Sequence, residues 1–389
     1  MLPGYRERVP ALPDEASPRP VPAGAPVALT VGECGETELL RRILARVPAA
    51  RAGVLGAGDD AAVLAAGDGK VVITTDLMIE GPDFRLAWSS ARDLARKACA
   101  SNLADVAAMG AAPTAITVAL ALPGQTAVSW VEELAEGFAE ALGEMAPGCG
   151  VIGGDLSTSE QLVIAITAFG DLRGGDSVRR SGAQPGDVLA LSGPAGRSGT
   201  GLSLLYALAR DPSGEALAEG IAALRDRGEA VASVIDWHLA PTIDASLGLA
   251  ARDAGASAMM DVSDGLLLDS ARLARASGVR LDVETAALAS DVEAVEAALS
   301  AAMPELDETQ RRARAVDLVV VGGEDHGLLA TFPAGVTLPD GFRAIGRVHP
   351  LLDDDTSRVL VDGEPREARG WDPYAWDFSS AESSTGLAS

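Results

Sequence analysis

Cysteine is scarce in this chain: Cys34, Cys99 and Cys149 are the only three in 389 residues. Their number is odd and their spacing matches no thiolate metal site, which excludes a disulfide framework and points to a reducing cytoplasm. Positive charge is short as well. Lys and Arg number 31 against 56 Asp and Glu, a net charge of −25, which argues against a nucleic-acid partner gripped through its phosphates. The three histidines, His238, His326 and His349, lie far apart, and there is no G-x-S-x-G elbow, so a Ser/His/Asp hydrolase is excluded. The familiar phosphate cradle G-x-x-x-x-G-K-[ST] is missing, and so is an H-R-D catalytic loop. No apolar run is long enough to span a bilayer, and the first residues lack the basic-then-apolar layout of a signal peptide.

What is present fills more than one ordinary core, so two domains are expected. Residues 1–30 carry seven prolines and little to bury, and read as a disordered extension. The Ser/Ala-rich end, 379–389, reads as a disordered tail. Residues 31–172 form the first domain and 173–378 the second, with the polar, glycine-rich run 171–186 at the boundary. Hydrophobic periodicity predicts helices over 36–46, 89–109 and 128–142 and strands over 71–75, 116–122 and 162–169 in the first domain. In the second it predicts strands near 188–191, 258–261, 279–284, 317–321, 327–331 and 343–348, and helices near 198–210, 219–236, 242–254 and 264–277. The class is α/β or α+β with mixed sheets, and the strand order is not derivable.

The most informative stretch is 97–113, KACASNLADVAAMGAAP. Ala98, Ser101, Asn102, Asp105, Ala108 and Met109 share one helical stripe that is small and apolar, yet holds a carboxylate with no basic residue three or four positions away. Such a group is neutralised, hydrogen-bonded or bound to a metal. Acids recur elsewhere in one form, at the end of a hydrophobic run or glycine turn: Asp59 and Asp60, Asp76, Asp155, Asp261 and Asp264, and Glu324 and Asp325. Each alone also reads as a turn or helix cap, Asp264 in particular. Together, with Thr74, Thr75 and Ser263 adjoining, they form a hard-oxygen set suited to Mg²⁺. Mg²⁺ held by a few carboxylates plus substrate phosphates points to phosphoryl transfer or another ATP-dependent reaction.

The segments GAGDDAAVL, ITTDLMIEG, NLADVAAMGAAP, GGDLS, RRSGAQPGD, DVSDGL and GGEDHGLLATFP, in this order, resemble the thiamine-monophosphate kinase family over about residues 32–378. That family belongs to the aminoimidazole ribonucleotide synthetase-like superfamily, which includes selenophosphate synthetase and a hydrogenase-maturation protein. The resemblance implies that architecture: two domains of mixed sheets flanked by helices. It also implies ATP and thiamine monophosphate as substrates, Mg²⁺ as cofactor, and a cytoplasmic homodimer joined through the sheets of the first domain. Carried over residue by residue, the metal ligands are Asp60, Thr74, Thr75, Asp76, Asp105, Asp155, Asp261 and Asp264. ATP contacts come from Gly154, Asp155, Arg180 and Ser263, with Asp105, Asp155 and Arg180 catalytic. Substrate contacts come from Asp83, Glu324 and a C-terminal aromatic, Trp371, Tyr374 or Trp376. The family usually has histidine where this chain has Asp83. After GGD it commonly continues with threonines and arginine, where this chain has 156–159 LSTS. Its short G-[WY]-D-H-F end is here the longer 370–378, GWDPYAWDF. The implied transfer is direct and in line, with a phosphate oxygen as the nucleophile. The alternatives are another ATP-dependent ligase of the superfamily and a non-catalytic paralogue.

Overall fold

The computed structural model describes residues 29–57, 61–352 and 357–371. The first half runs α1 (Val31–Cys34), α2 (Glu36–Leu44), a small hairpin of β1 (Gly53–Leu55) and β2 (Val63–Leu64), β3 (Val72–Ile79), α3 (Ala91–Ala108), β4 (Ala112–Leu122), α4 (Val128–Met145), β5 (Val151–Thr158) and β6 (Val163–Asp171). The second half runs β7 (Val188–Ser192), α5 (Arg197–Leu208), α6 (Ala218–Arg225), α7 (Glu229–Leu239), α8 (Ser246–Asp253), β8 (Ala258–Asp261), α9 (Leu266–Ser277) and β9 (Val279–Val283). It ends with α10 (Ala289–Ala302), α11 (Glu308–Val321), β10 (Leu328–Phe332), β11 (Phe342–Pro350), β12 (Val359–Val361) and β13 (Glu364–Pro365). A four-stranded sheet, β3-β6-β4-β5, and a seven-stranded sheet, β13-β12-β9-β11-β7-β10-β8, are both mixed.

Helix α3 is the common element. Ser90 accepts from the Asp93 N–H and Asp93 reaches back, a capping box that fixes its start. Gly110, at φ 70°, turns the chain out in a conformation that costs a side-chain-bearing residue about 1 kcal/mol or more. Between these ends Leu94, Leu103, Val106 and Ala107 are wholly buried. One face packs on β3 and β6, another on β8, β10 and α8, so one core runs through both halves of the chain. Small residues make this possible: a Cβ on Gly248 of α8 would sit 2.0 Å from the Ala107 carbonyl oxygen. Full burial of each large apolar side chain contributes about 1.5–3 kcal/mol.

Several expectations need correcting. Leu29 and Thr30 belong to the folded body: Val128 donates to the Leu29 carbonyl, and Thr30 caps α1. The strand expected at 71–75 continues to Ile79, so Asp76 lies inside it, and its open face leaves Ile73 62% and Leu77 55% exposed. The apolar run 317–321 is the end of α11; four consecutive buried residues, Leu318 to Val321, fit either period. The helix expected over 219–236 is two helices, α6 and α7, parted by Gly228 at φ 130°. Helix α10 was not anticipated. The segment 148–153, GCGVIG, has the G-x-G-x-x-G spacing but leads into β5 and not into a helix, so it forms no dinucleotide turn.

Candidate active site

The site lies where α3 meets the middle of β3, the end of β8 and the segment entering β10. On β3, alternation sends Thr74 and Asp76 towards α3 and Thr75 away from it. Thr74 Oγ1 donates to Asp105 Oδ2 at 2.7 Å, whereas Thr75 Oγ1 donates to the Ile166 carbonyl at 2.8 Å. The Thr75 hydroxyl is therefore turned away from Asp105. Burial pushes the Asp105 carboxyl up to about 6; Asp261 and Asp76 add to the shift, and the Thr74 hydroxyl and His326 oppose it.

Asp261 ends β8, and the chain beyond it is laced to the segment before β10. Val262 donates to the Gly327 carbonyl at 2.8 Å, His326 to that of Val262 at 3.0 Å, and Glu324 to that of Ser263 at 2.7 Å. This lacing holds Glu324 at φ 65° and His326 at φ 55°, left-handed conformations uncommon outside glycine. The buried His326 Nδ1 is 3.8 Å from Asp261 Oδ2, beyond hydrogen-bond reach, and has no hydrogen-bond partner among the described residues. Burial opposes its charged form, but Asp261 and Glu324 raise its pKa overall.

Asp264 does not cap α9, whose first turn starts from Gly265 with no side-chain cap. Its Oδ2 is paired with Arg272 at 2.5 Å, and its N–H donates to Asp269 Oδ2 at 2.9 Å. Asp269 is wholly buried, and burial, then Asp261, push it up to about 6. Asp325, beside Glu324 in the chain, is also buried; burial raises it to about 7 although it accepts from the N–H groups of Ser198 and Gly196 at the start of α5. Trp371 donates its backbone N–H to the Asp264 carbonyl, which brings the C-terminal segment to this loop.

Two turns up α3 from Asp105 the electrostatics reverse. Lys97 Nζ is 2.8 Å from Glu324 Oε1, and His238 Nδ1 is 3.5 Å from Glu324 Oε2 and 2.9 Å from Ser198 Oγ. Burial would push Glu324 up, but the Lys97 ammonium beside it brings it down to about 2. Burial holds His238 neutral, with its pKa near 3. Asp83 accepts from the Ile79 N–H at 2.7 Å and closes the loop after β3; burial and then Glu324 raise its pKa against that hydrogen bond and Lys97. Asp83, Trp88, Lys97, Tyr206 and His238 line one depression here.

The structure thus gathers Thr74, Asp76, Asp105 and Asp261, and beside them Ser263, Asp264, Glu324, Asp83 and Trp371. It joins neither Asp155 nor Arg180 to them by any hydrogen bond or ion pair among the described residues. Leu156 packs into the core below the sheet, so Asp155 falls on the open face. Arg180 is exposed, and its carbonyl accepts from Ser277. Gly154 has a structural reason to be glycine: a Cβ there would lie 2.0 Å from the Val118 carbonyl oxygen. Asp60, Tyr374 and Trp376 lie outside the described residues. Lys97, His238 and Asp269 were missed. Two of them had a signal: Lys97, Ser101 and Asp105 are spaced four apart on one face, and Asp269 is a lone acid among Leu266, Leu267, Ala271 and Leu273.

Comparison with known proteins identifies the family. Residues 58–172 match the N-terminal domain of AIR synthase related proteins, and residues 184–328 match the C-terminal domain. The chain is 41% identical over 348 residues to the thiamine-monophosphate kinase of Mycobacterium tuberculosis H37Rv, covering 89% of this chain and 92% of that one. It is 37% identical over 346 residues to the thiamine-monophosphate kinase of Corynebacterium glutamicum, covering 88% and 94%. Among solved structures, AaThiL complexed with AMPPCP and TMP superposes with a TM-score of 0.64 at 28% identity, covering 88% of this chain and 98% of that one.

Proposed function

The chain belongs to the thiamine-monophosphate kinase family, and we propose that it transfers the γ-phosphoryl group of ATP directly to the phosphate of thiamine monophosphate, giving thiamine diphosphate. The observation that carries the reading is the carboxylate group around Asp105, built where two halves of the fold meet on one helix. A phosphate nucleophile is already ionised near neutral pH, so the chain has no strong general base to supply. Its task is to position two anions and relieve their repulsion.

The donor chemistry fits Mg²⁺. Asp76, Asp105 and Asp261 are hard oxygen donors that pair with no lysine or arginine among the described residues, and the buried His326 Nδ1 beside Asp261 has no hydrogen bond. Among the described residues no three such side chains converge closely enough to hold an ion by themselves. An ion held there would need substrate phosphates and water to complete its shell. Asp76, Asp105 and Asp261 would hold it, with Thr74 orienting Asp105 and Asp264 available once released from Arg272. Bound there, Mg²⁺ would supply charge neutralisation for the phosphates. Asp60, Thr75 through its backbone, Gly154, Asp155, Arg180 and Ser263 stay in the proposed ATP and metal set on the family resemblance alone.

A homodimer through the four-stranded sheet accords with its open face, where Ile73 and Leu77 stand exposed and Asp155 also lies. No helix among the described residues is long and apolar enough to cross a membrane, and Cys99 and Cys149 are free and buried. From the free cysteines and the family resemblance we propose the cytoplasm as the site of the reaction. The test is formation of thiamine diphosphate from ATP and thiamine monophosphate with Mg²⁺ present. Purified protein that makes none under those conditions sinks the proposal.

A further inference from the structure

An arginine stands among the acids after β8, and the fold ties it to two of them. Arg272, on α9, donates through Nη1 to Asp264 Oδ2 at 2.5 Å and to Asp269 Oδ1 at 2.7 Å. The two carboxylates are not equivalent. Asp269 is wholly buried, and its other oxygen accepts the Asp264 N–H at 2.9 Å. With both oxygens engaged it has a fixed place, and it anchors the guanidinium. The Asp264 side chain is 25% exposed and that of Arg272 35%, so water and ions reach the pair they form. The Asp264 backbone, by contrast, is pinned on both sides, by its N–H bond to Asp269 and by the Trp371 N–H on its carbonyl. Gly265 beside it is packed so closely that a Cβ would lie 2.2 Å from the Val321 carbonyl oxygen. A change of partner by the Asp264 carboxylate therefore needs no movement of the loop.

We propose that Arg272 is a positioning residue that holds the place of a divalent cation on Asp264, and that its guanidinium yields Asp264 to the ion while staying on Asp269. The inference rests on the reading of Asp264 as a metal ligand and deepens it, since the ion then competes with a cation of the chain itself. Without metal, the guanidinium orients the Asp264 carboxylate and screens it from the neighbouring acids. When Asp264 changes partner, Arg272 keeps its contact with Asp269, so the exchange strands no buried charge. The competition weakens metal binding by about fivefold, the upper worth of a partly exposed ion pair.

The experiment titrates Mg²⁺ calorimetrically into the full chain beside a saturating non-hydrolysable ATP analogue. Arg272→Gln removes the competing cation and should bind Mg²⁺ about fivefold more tightly than wild type. Arg272→Gln combined with Asp269→Asn should show the same gain, and it leaves no buried carboxylate stranded if the single variant folds poorly. In an Asp264→Asn background the exchange has no site, so adding Arg272→Gln should change the affinity by less than about twofold. A gain that persists in that background would come from net charge at a distance, and direct exchange would be wrong. Weaker binding in both Arg272 variants would mean that the guanidinium itself holds the nucleotide, which also overturns the proposal. Wild type that binds Mg²⁺ while neither Arg272 variant gains loses the exchange and leaves the metal reading standing. If wild type binds no Mg²⁺ beside the analogue, both readings fall together.

Discussion

Helix α3 carries Lys97 and Asp105 about 12 Å apart along its axis, and the two ends of the cleft treat a carboxylate in opposite ways. At one end Lys97 stands beside Glu324 and its pKa falls to about 2. At the other, burial together with Asp261 and Asp76 drives Asp105 up to about 6. Both groups lie in a largely buried setting, so the difference is the presence of a resident cation. The chain supplies its own counter-charge where it would hold the organic part of a substrate. Where it would hold the phosphates, no lysine or arginine is paired with Asp105 among the described residues, and the proposed divalent ion would complete the set.

The largest effect should come from the end without a cation. Asp105→Asn keeps the shape and removes the charge, and should lower turnover by at least about a hundredfold in steady-state assays. Asp261→Asn on top of it should add little, because groups that share an ion act as a unit. Full additivity of the two would break the comparison by showing that they act separately.

The other end should dominate stability. Glu324→Ala strands a lysine that is nearly inaccessible, whereas Lys97→Met strands a carboxylate that water can reach. In urea unfolding we expect about 3 kcal/mol lost for Glu324→Ala and less for Lys97→Met. The reverse order would mean that the carboxylate, and not the ammonium, is the buried partner.

The pH dependence separates the ends again. Asp105, Asp269 and Asp325, at about 6, 6 and 7, lie above their unfolded values, so the metal-free folded chain holds extra protons between about pH 4 and 7. Their contribution to stability is present at low pH and lost as the pH rises through that window. Glu324 has the opposite sign: its contribution is present above about pH 4.5 and lost as the pH falls towards 2. Calorimetry without divalent metal should show a higher Tm near pH 5.5 than near pH 8, by a few degrees. A Tm that rises steadily to pH 8 would contradict the raised values.

The smallest effect contrasts two neighbours. Thr74→Val removes the hydroxyl that orients Asp105 and should cost about tenfold in kcat/KM. Thr75→Val alters the opposite face and should cost less than threefold. Equal losses would mean that both side chains serve the metal.

Much of this was legible from the chain. The helix around Asp105, the acid at the end of β8 and the GGED segment stand out because carboxylates interrupt apolar patterns that need a reason to tolerate them. Other features were hidden for physical reasons. An apolar run such as 317–321 fits a buried strand and a buried helix turn equally well, and tertiary packing decided for the helix. Thr74 and Thr75 are adjacent in sequence, and only the strand geometry reveals that one serves Asp105 and the other the sheet. Lys97 was visible, but its partner Glu324 lies more than two hundred residues away, and no spacing rule reaches that far. The raised positions of Asp269 and Asp325 likewise come from burial in a core that the sequence does not draw.

The central claim is that the Asp105 end takes its cation from outside the chain. Calorimetric titration of Mg²⁺ in the presence of a non-hydrolysable ATP analogue tests it most directly, on wild type, Asp105→Asn and Lys97→Met. The account predicts that Asp105→Asn weakens Mg²⁺ binding by tenfold or more, while Lys97→Met leaves it within about twofold. Mg²⁺ binding to Asp105→Asn as tight as to wild type would contradict it.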